Sequence, residues 1–280
     1  MKSGVTQKVP AYFDYLLEAF RQGRQGRFVH LGHWDSPPAD DAPLSSEEFN
    51  AAQTRMNEIL LEMAQLQHEQ HVLDVGCGLG GTLQRINETF QRVSLVGVNI
   101  DPRQLHVCAQ LEAVPGNQFH WHEADACRMP FADNSFDRIL CIEALFHFQS
   151  RRLFFKETAR LLRPGGILVI SDIVVHRDRV EARMPGFCVA AALNDGYGPW
   201  PHPWGKLEEL CETASLAGLN CQNTFDATDE TLPSHRFTVP QELDEQTDPG
   251  DPLARSALML QWLHKQRLLQ YVYLQFARPS

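Results

Sequence analysis

Apolar positions change their spacing twice along the chain. Up to about residue 70 the period is helical: Phe49, Ala52, Met56, Ile59, Leu60 and Met63 fall on one face. Ser45 followed by Glu48 has the spacing of a capping box, which places a helix start there. The segment before it, Phe-Val-His-Leu-Gly-His-Trp-Asp over 28–35, is too rich in aromatic and histidine side chains for a plain linker. From residue 71, short apolar runs alternate with helical stretches. The runs 71–75, 93–98, 118–122, 136–142 and 167–174 predict strands, and 82–90, 103–113 and about 150–162 predict the helices between them. Pro164-Gly165-Gly166 reads as a stop before the fifth strand. Such alternation predicts a parallel sheet with helices on both faces. Beyond residue 175 the pattern loosens. Turns over 196–203 surround Trp200, and 207–216 is an amphipathic helix ended by Gly218. The polar stretch 226–251 reads as an excursion over the surface. A helix over 253–269 leads into a strand over 271–277.

Composition narrows the function classes. The chain has 280 residues, 43% of them hydrophobic, enough to bury a substantial core. Its 25 Lys and Arg against 35 Asp and Glu give a net charge of -10. An acidic chain without a basic block is poorly matched to phosphate backbones or anionic lipid, so no nucleic-acid partner is expected. No uninterrupted apolar run is long enough to predict a membrane span. The first apolar stretch, 11–20, is broken by Asp14 and Glu18 and does not read as a secretory signal. Seven cysteines are scattered, with no C-x-x-C pair. That argues against a disulfide framework or a zinc cluster and points to a reducing compartment, the cytoplasm. No cluster of metal-ligand residues is evident, so no metal is expected.

Candidate chemistry centres on Val72-Leu73-Asp74-Val75-Gly76-Cys77-Gly78-Leu79-Gly80-Gly81-Thr82. A strand enters a glycine cluster and a helix leaves it, so backbone N–H groups open toward a ligand. Gly76, Gly78 and Gly81 satisfy the dinucleotide fingerprint, and a tight turn without ligand is the bland alternative. A dinucleotide site wants an acidic residue at the end of the second strand. Asn99 stands there, and its amide can still bond ribose hydroxyls.

At this point the chain resembles the class I S-adenosylmethionine-dependent methyltransferases, closely over about 70–175. The loop with Gly76, Gly78 and Gly80 is similar to the one that holds the methionine part of the cofactor. Asn99 and Ile100, with Gln104 in the next helix, resemble the ribose and adenine-edge position. Glu123-Ala124-Asp125-Ala126 resembles the third-strand motif, whose acidic residue, here Asp125 beside Ala126, reaches the adenine amino group. Leu161-Leu162-Arg163-Pro164-Gly165-Gly166 resembles the turn before strand five. The resemblance implies a Rossmann-like, seven-stranded, mostly parallel α/β sheet with helices on both faces. It also implies S-adenosyl-L-methionine as cofactor, a helical cap or lid over 1–70, and a core over 71–280 with acceptor-side segments at about 175–205 and 226–268. The small-molecule branch, with sterol and tocopherol C-methyltransferases and antibiotic-sugar O-methyltransferases, is the most similar. His30 and Trp34 resemble its lid, which would order on cofactor binding, with Tyr12 ahead of them. Glu143 lies in the strand-four exit, and 226–228 with 232–234 resembles a substrate-side element. Phe146 stands where the cyclopropane-fatty-acid branch carries Glu, which speaks against cyclopropanation.

The residues also suggest how an acceptor is activated. His147 follows strand four at the carboxyl end of the sheet, where ligands bind in open α/β folds. Asp172 ends strand five, so adjacent strands are expected to bring it to His147 as the orienter of a general base. Glu143, four residues earlier, shares a helical face with His147, touches cofactor or a substrate cation, or caps a helix. Trp200, His202 and Trp204 form acceptor walls or anchor a loop. The expectation is transfer of a methyl group to oxygen of a natural-product-like small molecule. Carbon or nitrogen acceptors, a nicotinamide-dependent oxidoreductase and a non-catalytic cofactor-binding module are the alternatives.

Overall fold

A computed structural model of the chain describes residues 9–10, 12–39, 42–238 and 251–280. Its strands are β1 (His71–Val75), β2 (Ser94–Asn99), β3 (Gln118–Glu123), β4 (Phe136–Ile142), β5 (Leu162–Val175), β6 (Asn220–Asp226) and β7 (Leu269–Ala277). They form one sheet in the order β3-β2-β1-β4-β5-β7-β6. Strands β1 to β5 pair in parallel, and β7 runs antiparallel between β5 and β6. The strand order therefore reverses direction between β1 and β4, which opens a crevice beyond their carboxyl ends.

The helices are α1 (Tyr12–Arg21), α2 (Ser46–Met63), α3 (Gly81–Thr89), α4 (Pro102–Cys108), α5 (Arg151–Leu161), α6 (Arg177–Arg183), α7 (Val189–Tyr197), α8 (Leu207–Leu216), α9 (Thr228–Thr231), α10 (His235–Thr238) and α11 (Pro252–Lys265). Alternate strand residues feed two apolar layers. Val72, Leu140 and Val169 pack with Met56, Leu60 and Leu61 of α2 on one face. Leu73, Ile139, Leu168 and Ile170 pack with Phe154 and Phe155 of α5 and Leu210 of α8 on the other. The capping box forms as spaced: Ser45 Oγ accepts from Glu48 N, and Glu48 Oε2 accepts from Ser45 N. Among the described residues no helix is long and apolar enough to cross a membrane.

Several boundaries differ from the sequence expectation. Pro164-Gly165-Gly166 does not stop β5 but forms a bulge inside it. Pairing with β4 passes from Phe136↔Leu162 to Arg138↔Ile167, and Gly165 takes φ +76°. Helix α4 ends at Cys108, short of 113. Strand β6 was not expected, because an edge strand with one neighbour and a mostly solvated surface carries no alternating apolar code. The stretch 226–238 is not a surface excursion. Thr228, Thr231, Ser234 and His235 are buried, and each polar side chain has an internal partner. The remainder of that stretch, 239–250, lies outside the described residues.

Candidate active site

The crevice between β1 and β4 holds a cavity of about 790 Å³, including the part that opens to solvent. Its floor is the glycine loop. Gly76 and Gly78 both take left-handed backbone, φ +79° and +52°. A Cβ on Gly76 would fall 2.5 Å from the Ala144 Cβ, and one on Gly78 would fall 2.8 Å from Val29 Cγ2. Neither position tolerates a side chain. Gly80, at φ +81°, serves packing instead: its missing Cβ leaves room for Cys108 and Leu111 and does not line the cavity.

The carboxyl end of β2 supplies an amide pair. Asn99 Nδ2 donates to Gln104 Oε1 at 2.8 Å, while Asn99 Oδ1 accepts from Asp101 N at 3.0 Å. Both side chains are buried and, with Ile100, line the cavity. Ala124 and Ala126 line it too. Asp125 between them is exposed, and its Oδ1 accepts from Cys127 N at 2.8 Å. The structure thus brings Asp125 to the rim rather than the wall.

Glu143 sits at the exit of β4 with φ +47°, a conformation rare outside glycine. Its Oε1 accepts from Leu31 N at 2.6 Å and from the Tyr271 hydroxyl at 2.5 Å. Burial pushes its carboxyl up to about 7, against the pull of those two donors. It neither caps a helix nor bonds His147. It lines the cavity with no cationic partner among the described residues.

His147 lies in a single 3-10 turn over Leu145–His147. Its Nδ1 donates to the Pro199 carbonyl at 2.8 Å, which leaves Nε2 as acceptor for the Tyr12 hydroxyl at 2.9 Å. Burial holds the imidazole down to about 4, so it is neutral at pH 7. The expected His147–Asp172 contact is not formed. Asp172 is fully buried and pairs with Arg151 Nη2 at 3.3 Å, and burial raises it to about 6. The orienting role expected of Asp172 falls to the Pro199 carbonyl. Sequence reading could not have found it, because it comes from a loop 52 residues away.

The N-terminal segment divides into two parts. Helix α1 covers the cavity through Tyr12, Phe13 and Leu16, tied to α4 by the Asp14–Arg103 ion pair. The segment 28–35 is strapped down instead. Trp34 Nε1 donates to Ser234 Oγ at 3.0 Å and its ring stacks on Phe237, so it does not reach the cavity. His30 is buried behind the glycine loop with Nδ1 donating to Leu31 O at 2.6 Å, and it borders a smaller cavity beside Asp74 and Thr82. Neither of these two lines the larger cavity, where the sequence led us to expect them. On the other side, Trp200 is a buried anchor stacked on Phe146 at 4.2 Å, and His202 is exposed.

This donor set fits S-adenosylmethionine. The carboxylate of Glu143 suits a cationic end, the Asn99–Gln104 amides suit ribose or purine edges, and Ile100 with Ala126 suits the flat face of a base. The comparisons with known proteins agree. A family described as "Methyltransferase domain" matches residues 73–170. The methyltransferase GfsG of Streptomyces halstedii is 32% identical over 248 residues, 86% of this chain and 82% of its own length. The O-methyltransferase resE of Aspergillus sclerotiorum is 30% identical, covering 82% of this chain and 83% of itself. The crystal structure of the [4+2]-cyclase SpnF shares the fold at TM-score 0.75 and 22% identity, over 98% of this chain and 96% of that one. The chain belongs to the class I S-adenosylmethionine-dependent methyltransferases. It is an enzyme whose cofactor is S-adenosylmethionine.

Proposed function

We propose that the chain methylates a hydroxyl oxygen of an uncharged, largely apolar small molecule, with Tyr12 and His147 removing the proton. The observation that carries this is the Tyr12 Oη–His147 Nε2 hydrogen bond, 2.9 Å long, in the wall of the cavity. The names of the relatives support oxygen as the acceptor atom. Pro10, Phe13, Leu16, Phe148 and Pro199 give the cavity apolar walls, and among the described residues no Lys or Arg lines it to receive an acidic acceptor.

S-adenosylmethionine supplies an electrophilic methyl carbon on a sulfonium. Gly76 and Gly78, the amide pair, Ile100, Ala126 and Glu143 would hold it. The chain's remaining task is to place the oxygen in line and take its proton. The tautomer is fixed by Pro199, so the free lone pair of His147 points to Tyr12. An acceptor hydroxyl passes its proton to that nitrogen directly or through the Tyr12 oxygen. The imidazole is a weak base at about 4, which favours a phenol over an alkanol. Helix α1 and the strapped segment 28–35 then act as the cover that excludes water. The scattered cysteines, with no C-x-x-C pair, support a cytoplasmic setting. The acidic balance supports small molecules over nucleic acid as partners.

The test is His147→Ala with a panel of phenols. Turnover should fall by roughly 10²–10⁴-fold while cofactor affinity is kept. Full turnover with weakened cofactor binding would remove His147 from the chemistry. Product analysis by NMR then distinguishes an O-methyl from a C-methyl product.

A further inference from the structure

We propose that Tyr271, on the antiparallel strand β7, is a positioning residue that fixes the aim of the Glu143 carboxylate toward the cationic end of the cofactor. This rests on the reading that Glu143 faces bound S-adenosylmethionine.

Tyr271 is fully buried in the apolar layer beneath α2, far from the glycine loop in sequence. A buried phenol needs a partner for its hydroxyl. Its oxygen lies 2.5 Å from Glu143 Oε1, 3.3 Å from Ser171 Oγ and 3.6 Å from Met56 Sδ. The single phenolic proton goes to the carboxylate, the strongest acceptor of the three. Leu31 N donates to the same Oε1. Two donors thus occupy one carboxylate oxygen and leave the other for the cavity. Ser171 completes the support. Its carbonyl and hydroxyl both accept from Glu143 N, at 3.2 and 3.1 Å, and its hydroxyl also meets Tyr271. This clamp holds a residue whose backbone is otherwise strained.

The clamp also governs the charge of Glu143. The titratable groups facing it are Tyr12 of α1, Tyr197 of α7, Asp172 of β5, and Tyr271 and Tyr273 of β7, with neutral His147 beside Tyr12. The tyrosines are neutral, and Asp172 opposes ionisation. The carboxylate therefore depends on its hydrogen bonds from Tyr271 and Leu31. Removing the first should raise the pH at which Glu143 becomes charged by about one unit, the tenfold effect of one hydrogen bond to a charged group.

The experiment is calorimetric titration of S-adenosylmethionine into the full chain from pH 6 to pH 9, for wild type, Tyr271→Phe and Glu143→Gln. The amine of the ligand titrates in the same range but equally for each protein, so the difference between proteins is read. Tyr271→Phe should bind about tenfold more weakly at pH 6 and converge on wild type by pH 9. Parallel curves, whether superimposed or offset by one factor at every pH, would overturn the positioning role. Wild-type binding by Glu143→Gln would overturn the Glu143 reading itself, whereas impaired Glu143→Gln with unshifted Tyr271→Phe would remove Tyr271 alone. Should Tyr271→Phe not fold, Ser171→Ala takes its place, with a shift of the same sign and smaller size. No shift in Ser171→Ala would count against the clamp.

Discussion

Replacing Glu143 with glutamine should stabilise the protein without cofactor while impairing its binding. Glu143 lies in the cavity wall with two neutral donors and, among the described residues, no cation, and its carboxyl is raised from 4.5 to about 7. A shift of ~2.5 pH units corresponds to about 3 kcal/mol of destabilisation once the group is charged. The sign follows from the proton count. Between pH 4.5 and 7 the folded state holds a proton that the unfolded state releases, so this residue's contribution to stability falls as pH rises through that window and is flat above it. Glutamine keeps the shape and still accepts from Leu31 N and Tyr271, but carries no charge. The gain for Glu143→Gln should therefore be near zero at pH 4.5 and reach up to about 3 kcal/mol at pH 8, several degrees in melting temperature for a chain of this size. Urea denaturation of both proteins at the two pH values, without cofactor, measures it. Equal or lower stability of the variant at pH 8 would mean the carboxylate is already compensated, and the argument for a cation in the cavity would fail.

Other substitutions separate the roles of individual residues. Gly76→Ala should abolish cofactor binding and lower stability by a few kcal/mol, because its Cβ would fall 2.5 Å from that of Ala144 at a positive φ; circular dichroism and a binding titration check both. Trp34→Phe keeps the ring that stacks on Phe237 but loses the bond to Ser234, so it should cost about 1 kcal/mol and leave the KM for cofactor within about twofold. A large rise in KM at unchanged stability would return Trp34 to the cofactor site. Asp172→Asn should destabilise the fold by leaving Arg151 without its charged partner, yet leave the pH profile of kcat unmoved, since Asp172 does not touch His147.

The alternation of apolar runs from 71 to 174 made the parallel half of the sheet legible, because strands buried on both faces are written as near-continuous apolar code. The part of the cavity lined by β1, β2 and β3 was legible for a related reason. Gly76, Gly78, Asn99, Ile100 and Ala126 follow the ends of consecutive strands, with Gln104 in the helix after β2, so their order along the chain is their order in space. The rest of the cavity wall is assembled from residues far apart in sequence. Tyr12 meets His147 across 135 positions, Pro199 reaches it across 52, and Tyr271 reaches Glu143 across 128. No spacing rule encodes such contacts. Asp172 shows the limit from the other side: the right strand and the right end still left its partner open, and Arg151 at the start of α5 claimed it. Strand β6 was hidden by its solvated, polar surface, and the buried helices after it by hydroxyls and histidines that are satisfied internally rather than by water.

The crevice between β1 and β4 is expected to hold S-adenosylmethionine on a loop that only glycine can form. Equilibrium titration of the purified chain with S-adenosylmethionine, S-adenosylhomocysteine and NAD tests it most directly. Saturable binding of the first two, none of NAD, and loss of both in a folded Gly78→Val are predicted. A folded wild-type chain that binds neither nucleoside, or a Gly78→Val that binds them as well as wild type, would contradict it.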